Sequence, residues 1–403
     1  MDNVTHSLVG VALADLAMGR RGGGLPRPLF VGAGIVAANL PDIDVAYSWV
    51  TPAPLGYLLH HRGHTHTVTG IAGLALILFC VYWFFPAARK MRLSGRLQFW
   101  LLIAIALASH LGLDYLNSYG IHPFYPWNNG WYFGDSVFIV EPALWLILGV
   151  AVASNGRTRA AKLAAAVPLI ILLATVSSAG IVPRTAVAAL AITGGVFVWS
   201  ALRLNAHTRA AVALALCAAI AGALAATSRV ARSQSVAALE PELRGQVVDV
   251  ILTPNPSSAV CWGVIVIELR ETGGEYVLWR GTLSLAPAWR PPTDCASHRF
   301  VGAKAARGLG NGRFVLRDET RQPLARLRSL ARNDCWVRAW LRFGRAPVID
   351  RGTIYDLRFA ERIGQDFSQL RIMPRDACPA NVPGWLPPRA DLLREQVQSI
   401  TSR

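Results

Sequence analysis

The chain has 403 residues, 53% of them hydrophobic and only 16% charged, with a formal net charge of +16. A charged share well below the ~25% usual in soluble proteins excludes an ordinary soluble protein over the whole length, and the length predicts two domains or more. The positive balance does not point to nucleic acid, because nearly all the basic residues are scattered arginines; lysine occurs only as Lys90, Lys162 and Lys304.

The apolar runs fall before about residue 230. No basic region precedes the first of them and no small-residue cleavage site follows it, so Asp2 is expected to remain in the mature protein. Residues 4–18 and 29–40 are short for a bilayer crossing of about 20 residues and read as a helical hairpin inside a bundle. Asp15 in the first is expected to pair with Arg20 or Arg21. Residues 68–85, 97–116, 137–153, 161–181, 186–202 and 210–226 read as membrane helices by hydropathy. The loops carrying Arg89, Lys90, Arg92 and Arg96, and then Arg157, Arg159 and Lys162, read as cytoplasmic. Residues 117–136 hold no Lys or Arg and read as the outer side. Counting crossings places everything beyond Arg229 outside as well.

That tail reads as β-rich, with strands expected at 247–252, 260–269, 276–285, 337–343 and 354–359. Its four cysteines, Cys261, Cys295, Cys335 and Cys378, predict two disulfides with three possible connectivities. A structural zinc site is the alternative.

Ionisable residues cluster at the predicted outer ends of the first segments. In lipid such side chains are costly and have a partner or a function. His110 and Asp114 share one helix face at i, i+4 and suit zinc, manganese or iron. Asp42 and Asp44 follow Pro41 at a helix end, where alternate residues can aim two carboxylates at one centre. His61 and His66 flank Arg62, whose planar fork suits phosphate or carboxylate. The bland readings are a hydrogen-bonded pair for His110 and Asp114, solvation for His60 and His64, and a first-turn carboxylate for Glu141. For Asp135 the bland reading is an N-cap.

The order and spacing of these pieces resemble the YdjM-type inner-membrane proteins, described as metal-dependent hydrolases. The matching pieces are Asp2-Asn3-Val4-Thr5-His6, Leu40-Pro41-Asp42-Ile43-Asp44, His61-Arg62-Gly63-His64-Thr65-His66-Thr67, His110-Leu111-Gly112-Leu113-Asp114 with Ser118-Tyr119-Gly120, Pro123-Phe124, and Val137-Phe138-Ile139-Val140-Glu141-Pro142. They cover residues 1 to about 145. The resemblance implies metal ligation by Asp42, His61, His66, His110 and Asp114, with His6 as a further ligand although many long members carry Gln there. His64 falls at a variable position, and Glu141 stands where Asp is usual. The family is also distantly similar to zinc-dependent phospholipase C and P1-type nucleases, which implies phosphoester hydrolysis by analogy.

The combined expectation is a mainly α, polytopic transmembrane helical bundle with a C-terminal extracytoplasmic β-rich domain. Residues 1–155 would form the membrane-embedded hydrolase core, 156–230 additional transmembrane helices, and 231–403 the periplasmic domain. The expected cofactor is one or two divalent ions, zinc foremost. The expected substrate is a membrane lipid or lipid-linked ester at the outer face of a bacterial inner membrane. Asp44 or Glu141 would be a further ligand or the general base, and Arg62 would stabilise developing charge. The alternative is a non-enzymatic membrane protein with a structural polar cluster and a partner-binding tail.

Overall fold

The computed structural model describes residues 1–18, 26–155, 158–160, 162–163, 166–167, 170–171, 174, 184–201, 203–295, 307–359 and 367–393. The first part is helical: α1 (Asn3–Met18), α2 (Arg27–Asn39), α3 (Leu55–His60), α4 (Val68–Trp83), α5 (Pro86–Arg89), α6 (Leu93–Tyr115), α7 (Pro142–Ser154), α8 (Arg184–Ala201) and α9 (Ala206–Leu239). α2 continues into a 3₁₀ segment, Leu40–Val50.

Among the described residues, three helices are long and apolar enough to cross a membrane: Arg27–Val50, Leu93–Tyr115 and Ala206–Leu239. Leu55–His66 and Val68–Trp83 make a fourth only if taken together across a 70° bend. Of the spans expected from hydropathy, those at 137–153 and 186–202 contain shorter apolar helices, Pro142–Ser154 and Leu190–Ser200. The run at 137–153 is helical only from Pro142, because Glu141 caps α7 and proline at the first helical position pre-sets the backbone. The expected span at 161–181 lies largely outside the described residues.

Small residues set the bundle's spacing. α1 and α2 touch at Gly10 and Gly34, where a Cβ on either would run into the other's carbonyl oxygen, the close approach that small residues permit between helices in lipid. Phe30 meets Phe99 of α6 edge-on at 5.4 Å. Leu76 and Ile77 of α4, Leu97 and Leu101 of α6, and Ile192 and Val196 of α8 point outward and are exposed, an apolar surface suited to lipid rather than water. Asp15 pairs with Arg27 at 2.8 and 2.9 Å and with Asn155; the partners expected for it, Arg20 and Arg21, lie outside the described residues.

The second part is built on a five-stranded antiparallel sheet of order β1-β2-β3-β5-β4, with β1 (Gln246–Pro254), β2 (Cys261–Arg270), β3 (Glu275–Ser284), β4 (Arg307–Leu309) and β5 (Phe314–Pro323). A smaller sheet holds β6 (Pro347–Asp350), β7 (Thr353–Asp356) and β8 (Leu370–Arg371). Between them lie α10 (Leu324–Asn333) and α11 (Cys335–Trp340). The strand expected at 337–343 is thus wrong: Asp334 accepts hydrogen bonds from the backbone N–H groups of Trp336 and Val337, and that cap starts a helix despite the aromatic and β-branched residues. The cysteines pair as Cys261–Cys295 and Cys335–Cys378, closing stretches of 34 and 43 residues. Replacing either pair with alanine is expected to cost about 2–5 kcal/mol of stability in this part. Denaturant unfolding followed by tryptophan fluorescence would measure it.

β2 is buried along its whole length because both faces are covered. Trp262, Val264 and Val266 pack against Ala231, Ala238 and Leu239 at the end of α9. Ile265, Ile267 and Leu269 join α10 and α11 in one core with Leu55, Leu58 and Leu59 of α3. Helical part and sheet therefore share buried apolar surface, and charge ties them too. Asp135, fully buried, takes both terminal guanidinium nitrogens of Arg345 at 2.8 Å and Arg232 of α9 at 2.9 Å. Arg345 reaches on to Asp249 of β1 at 2.7 Å.

Candidate metal centre

The polar residues meet where α1 begins and where α2 and α6 end. His110 and Asp114 project from the last turns of α6 and are buried. His6 comes from the first turns of α1 and stacks on His110 with ring centroids 3.8 Å apart. In the 3₁₀ segment Asp42 and Asp44 turn inward, Asp44 completely buried, while Ile43 is 51% exposed and Val45 44%. His61, Arg62 and His66 come from the bend between α3 and α4. Arg62 makes that bend with φ +60°, a left-handed conformation uncommon outside glycine.

Two imidazole nitrogens face each other: His66 Nε2 and His110 Nε2 lie 3.0 Å apart. Asp114 Oδ2 is 3.2 and 3.5 Å from them, and Asp42 Oδ1 is 3.5 Å from each. What occupies the other ring nitrogens decides their character. His110 Nδ1 lies 2.6 Å from the carbonyl oxygen of Ala38, which can only accept, so Nδ1 carries the proton. That carbonyl would take its i+3 hydrogen bond from Pro41, which has no N–H. His66 Nδ1 lies 3.0 Å from Asp44 Oδ2. The Thr65 hydroxyl, also near that nitrogen, donates to the same carboxylate at 2.8 Å. His66 Nδ1 is therefore a donor as well. With both rings neutral, the two Nε2 atoms present lone pairs to each other and to two carboxylate oxygens, a set that could hold a metal ion.

Asp44 accepts from His61 Nδ1 at 3.1 Å, the backbone N–H of Arg62 at 2.9 Å, Thr65 and His66. Four donors occupy both oxygens, so it orients the two histidines, the outer-shell arrangement that fixes a metal-binding imidazole. Its donation from His61 leaves His61 Nε2 as an acceptor. Asp42, Asp44 and His61 form a second group whose ligand atoms lie within 4.8 Å of one another, as do those of Asp42, His66, His110 and Asp114. His6 Nε2 lies 3.3 Å from Asp114 Oδ1, and neither His6 ring nitrogen has a hydrogen-bond partner. Buried lone pairs without donors and a nitrogen–oxygen set fit a divalent ion.

Arg62 turns inward. Its Nε and Nη2 reach Asp114 at 2.9 and 3.1 Å, Nη1 reaches Asn117 at 2.9 Å, and it lies 4.6 Å over Tyr119. The Met1 amine also contacts Asp114. Asp2 accepts from the backbone N–H and hydroxyl of Thr5 and starts α1. His64 is exposed beside Trp385. Asp135 is not an N-cap but the buried anion described above. His122, unsignalled by any motif, is held by the Arg62 carbonyl and stacks on Trp385 at 4.1 Å; burial pushes its imidazole down to about 3, leaving it neutral.

Glu141 stands apart from the cluster. Its carboxylate accepts from the N–H and hydroxyl of Ser257 at 3.0 and 2.7 Å and from the N–H of Ala143 at 3.2 Å. Glu141→Gln is expected to leave metal content unchanged and to cost about 1 kcal/mol of stability, checked by elemental analysis and thermal unfolding of the same sample.

Residues 1–184 match the YdjM inner membrane protein family. The YdjM region thus holds every residue of the cluster. Among curated proteins it is similar to inner membrane protein YbcI of Escherichia coli (strain K12), 31% identical over 128 residues. It is also similar to the uncharacterized protein YfhP of Bacillus subtilis (strain 168), 29% identical over 136 residues. The matches take in 31% and 32% of this chain, and 64% and 39% of the two relatives. No solved structure matches. The sheet region lies beyond the YdjM match.

Proposed function

We propose that the protein is a membrane-bound metal-dependent hydrolase. Its substrate would be a phosphoester or other ester of a lipid-like molecule at the outer face of the inner membrane. The observation that carries this reading is the pair of imidazole Nε2 atoms facing each other across 3.0 Å, with both rings bonded through Nδ1 to acceptors behind them. Asp42, His66, His110 and Asp114 would hold the ion, zinc being the expected one, with His6 and His61 as neighbouring ligands. A divalent cation there supplies Lewis acidity toward an ester and activation of water. Asp44 fixes the rings. Arg62 keeps positive charge beside the reacting centre, where developing negative charge is stabilised. The outer-face assignment, with the sheet region on the periplasmic side, rests on the absence of Lys and Arg from residues 117–136.

A second reading has its own support. Arg62 and the Met1 amine both contact Asp114, so the cluster carries compensating charge of its own, as a structural polar core would. Elemental analysis of the purified protein separates the two. One or two equivalents of zinc, manganese or iron, with chelator-sensitive cleavage of a phosphoester or lipid ester, supports the hydrolase. A metal-free protein that cannot be reloaded and cleaves no ester supports the structural cluster.

A further inference from the structure

The cluster opens on one side into a cleft of about 570 Å³, within the ~300–1,000 Å³ of small-molecule sites. Asp42, His61 and Arg62 line it from the helical part. Leu252, Phe359 and Phe367 line it from the sheet region, outside the YdjM match. Phe359 and Phe367 have ring centroids 5.0 Å apart. Phe367 meets Tyr57 edge-on at 5.5 Å and lies parallel to Tyr119 at 6.3 Å, so one aromatic wall is assembled from both parts of the chain. Arg358 brings no free charge to it. Its guanidinium is held by Asp356 and by the carbonyls of Ser118 and Phe343, and it lies 4.8 Å over Phe359, fixing that ring.

The mouth is apolar as well. Val45, Tyr57, Ile139 and Phe367 line it at 38 to 44% exposure. Ile43 and Trp49, on the same 3₁₀ segment as Val45, are 51% and 79% exposed. That segment ends a helix long and apolar enough to cross a membrane, where aromatic residues mark the lipid–water boundary. A cleft lined by polar groups and an aromatic wall, with an apolar mouth at that level, fits an amphiphile entering from lipid better than a water-soluble ester.

We infer that the sheet region completes the substrate cleft: Phe359 and Phe367 hold the apolar chain of an anionic amphiphile whose ester head lies against Asp42, His61 and Arg62. The placing of the head rests on the hydrolase reading; the chain-binding wall does not depend on turnover.

The test uses the full chain in nanodiscs and two probes, dioctanoyl phosphatidic acid and glycerol 3-phosphate, with binding read by calorimetry and cleavage by phosphate release. Wild type is expected to bind the lipid probe at least about 100-fold more tightly. Phe367→Ser should lower that affinity about tenfold while leaving glycerol 3-phosphate unchanged, and Phe367→Leu should retain most of it. Equal binding of the two probes by wild type, or equal weakening of both by Phe367→Ser in a folded protein, overturns the inference. Chain-selective binding without cleavage of either probe supports the wall and counts against the hydrolase reading. Cleavage of both probes with equal kcat/KM supports the hydrolase and overturns the wall.

Discussion

His110→Ala is expected to abolish stoichiometric metal binding and to lower any ester hydrolysis by more than about 100-fold, because loss of an outer-shell partner alone typically costs about 10–100-fold. The ring contributes one of the two facing Nε2 atoms, and its Nδ1–H is held by the Ala38 carbonyl, which fixes its orientation. Asp44→Asn should show the intermediate effect, roughly 10–100-fold in metal affinity, since it removes the charge that aligns His61 and His66 but leaves their rings in place. His64→Ala is the control: its exposed ring contacts Tyr125 and Trp385, and metal content should not change. Metal analysis across the three variants, with circular dichroism to establish folding, gives a graded series. Equal metal content in wild type and His110→Ala would sink the assignment.

Asp135→Ala is expected to destabilise the protein by about 3–5 kcal/mol, the usual cost of leaving a buried charge without its partner. Arg345 would remain buried with only Asp249 to answer it, and Arg232 would lose its nearer contact. Replacing Asp135 and Arg345 together by leucine and methionine should cost less than either single change, because no charge is then stranded. Thermal unfolding of the double-mutant cycle measures this. The network also predicts acid sensitivity. Burial alone would raise the Asp249 carboxyl, but Arg345, Arg389 and Arg232 outweigh it and hold the group below its ordinary value. A carboxylate depressed on folding contributes stability that is present above the unfolded value of about 4 and lost as pH falls through the folded one. The midpoint of unfolding should therefore drop below about pH 4, and by less in Asp249→Asn.

Much of the site was legible in the sequence because its grammar is local. The i, i+4 spacing of His110 and Asp114, and the alternation of Asp42 and Asp44 with Ile43 and Val45, fix which side chains face one way. Loop charge suggested that these pieces share an end. What spacing could not carry was the division of labour. Asp42 and Asp44 are two residues apart and look equivalent, yet one lies beside both Nε2 atoms and the other holds the rings from behind. Arg62 looked like a free substrate contact, and its partner Asp114 lies 52 positions away. Glu141 stood in a matching motif, but its partner, Ser257, is 116 positions on. In the sheet region the alternating strands were readable from β-branched runs, whereas 337–343 misled because one capping aspartate, Asp334, outweighs the apparent strand preference of the residues after it.

α9 spans 34 residues, about 51 Å at 1.5 Å per residue, against a hydrocarbon core of about 30 Å. It enters the sheet's core as the same uninterrupted rod that packs on α1 and α7, so the azimuth of the sheet about the bundle is set by helical phase. Adding one alanine after Val230 would turn everything beyond it by about 100° and carry Phe359 and Phe367 away from His61. Adding seven would return the phase to within about 20° while lifting the sheet by about 10 Å. The aromatic wall and the histidines are thus kept in register by the count of residues in a helix that touches neither.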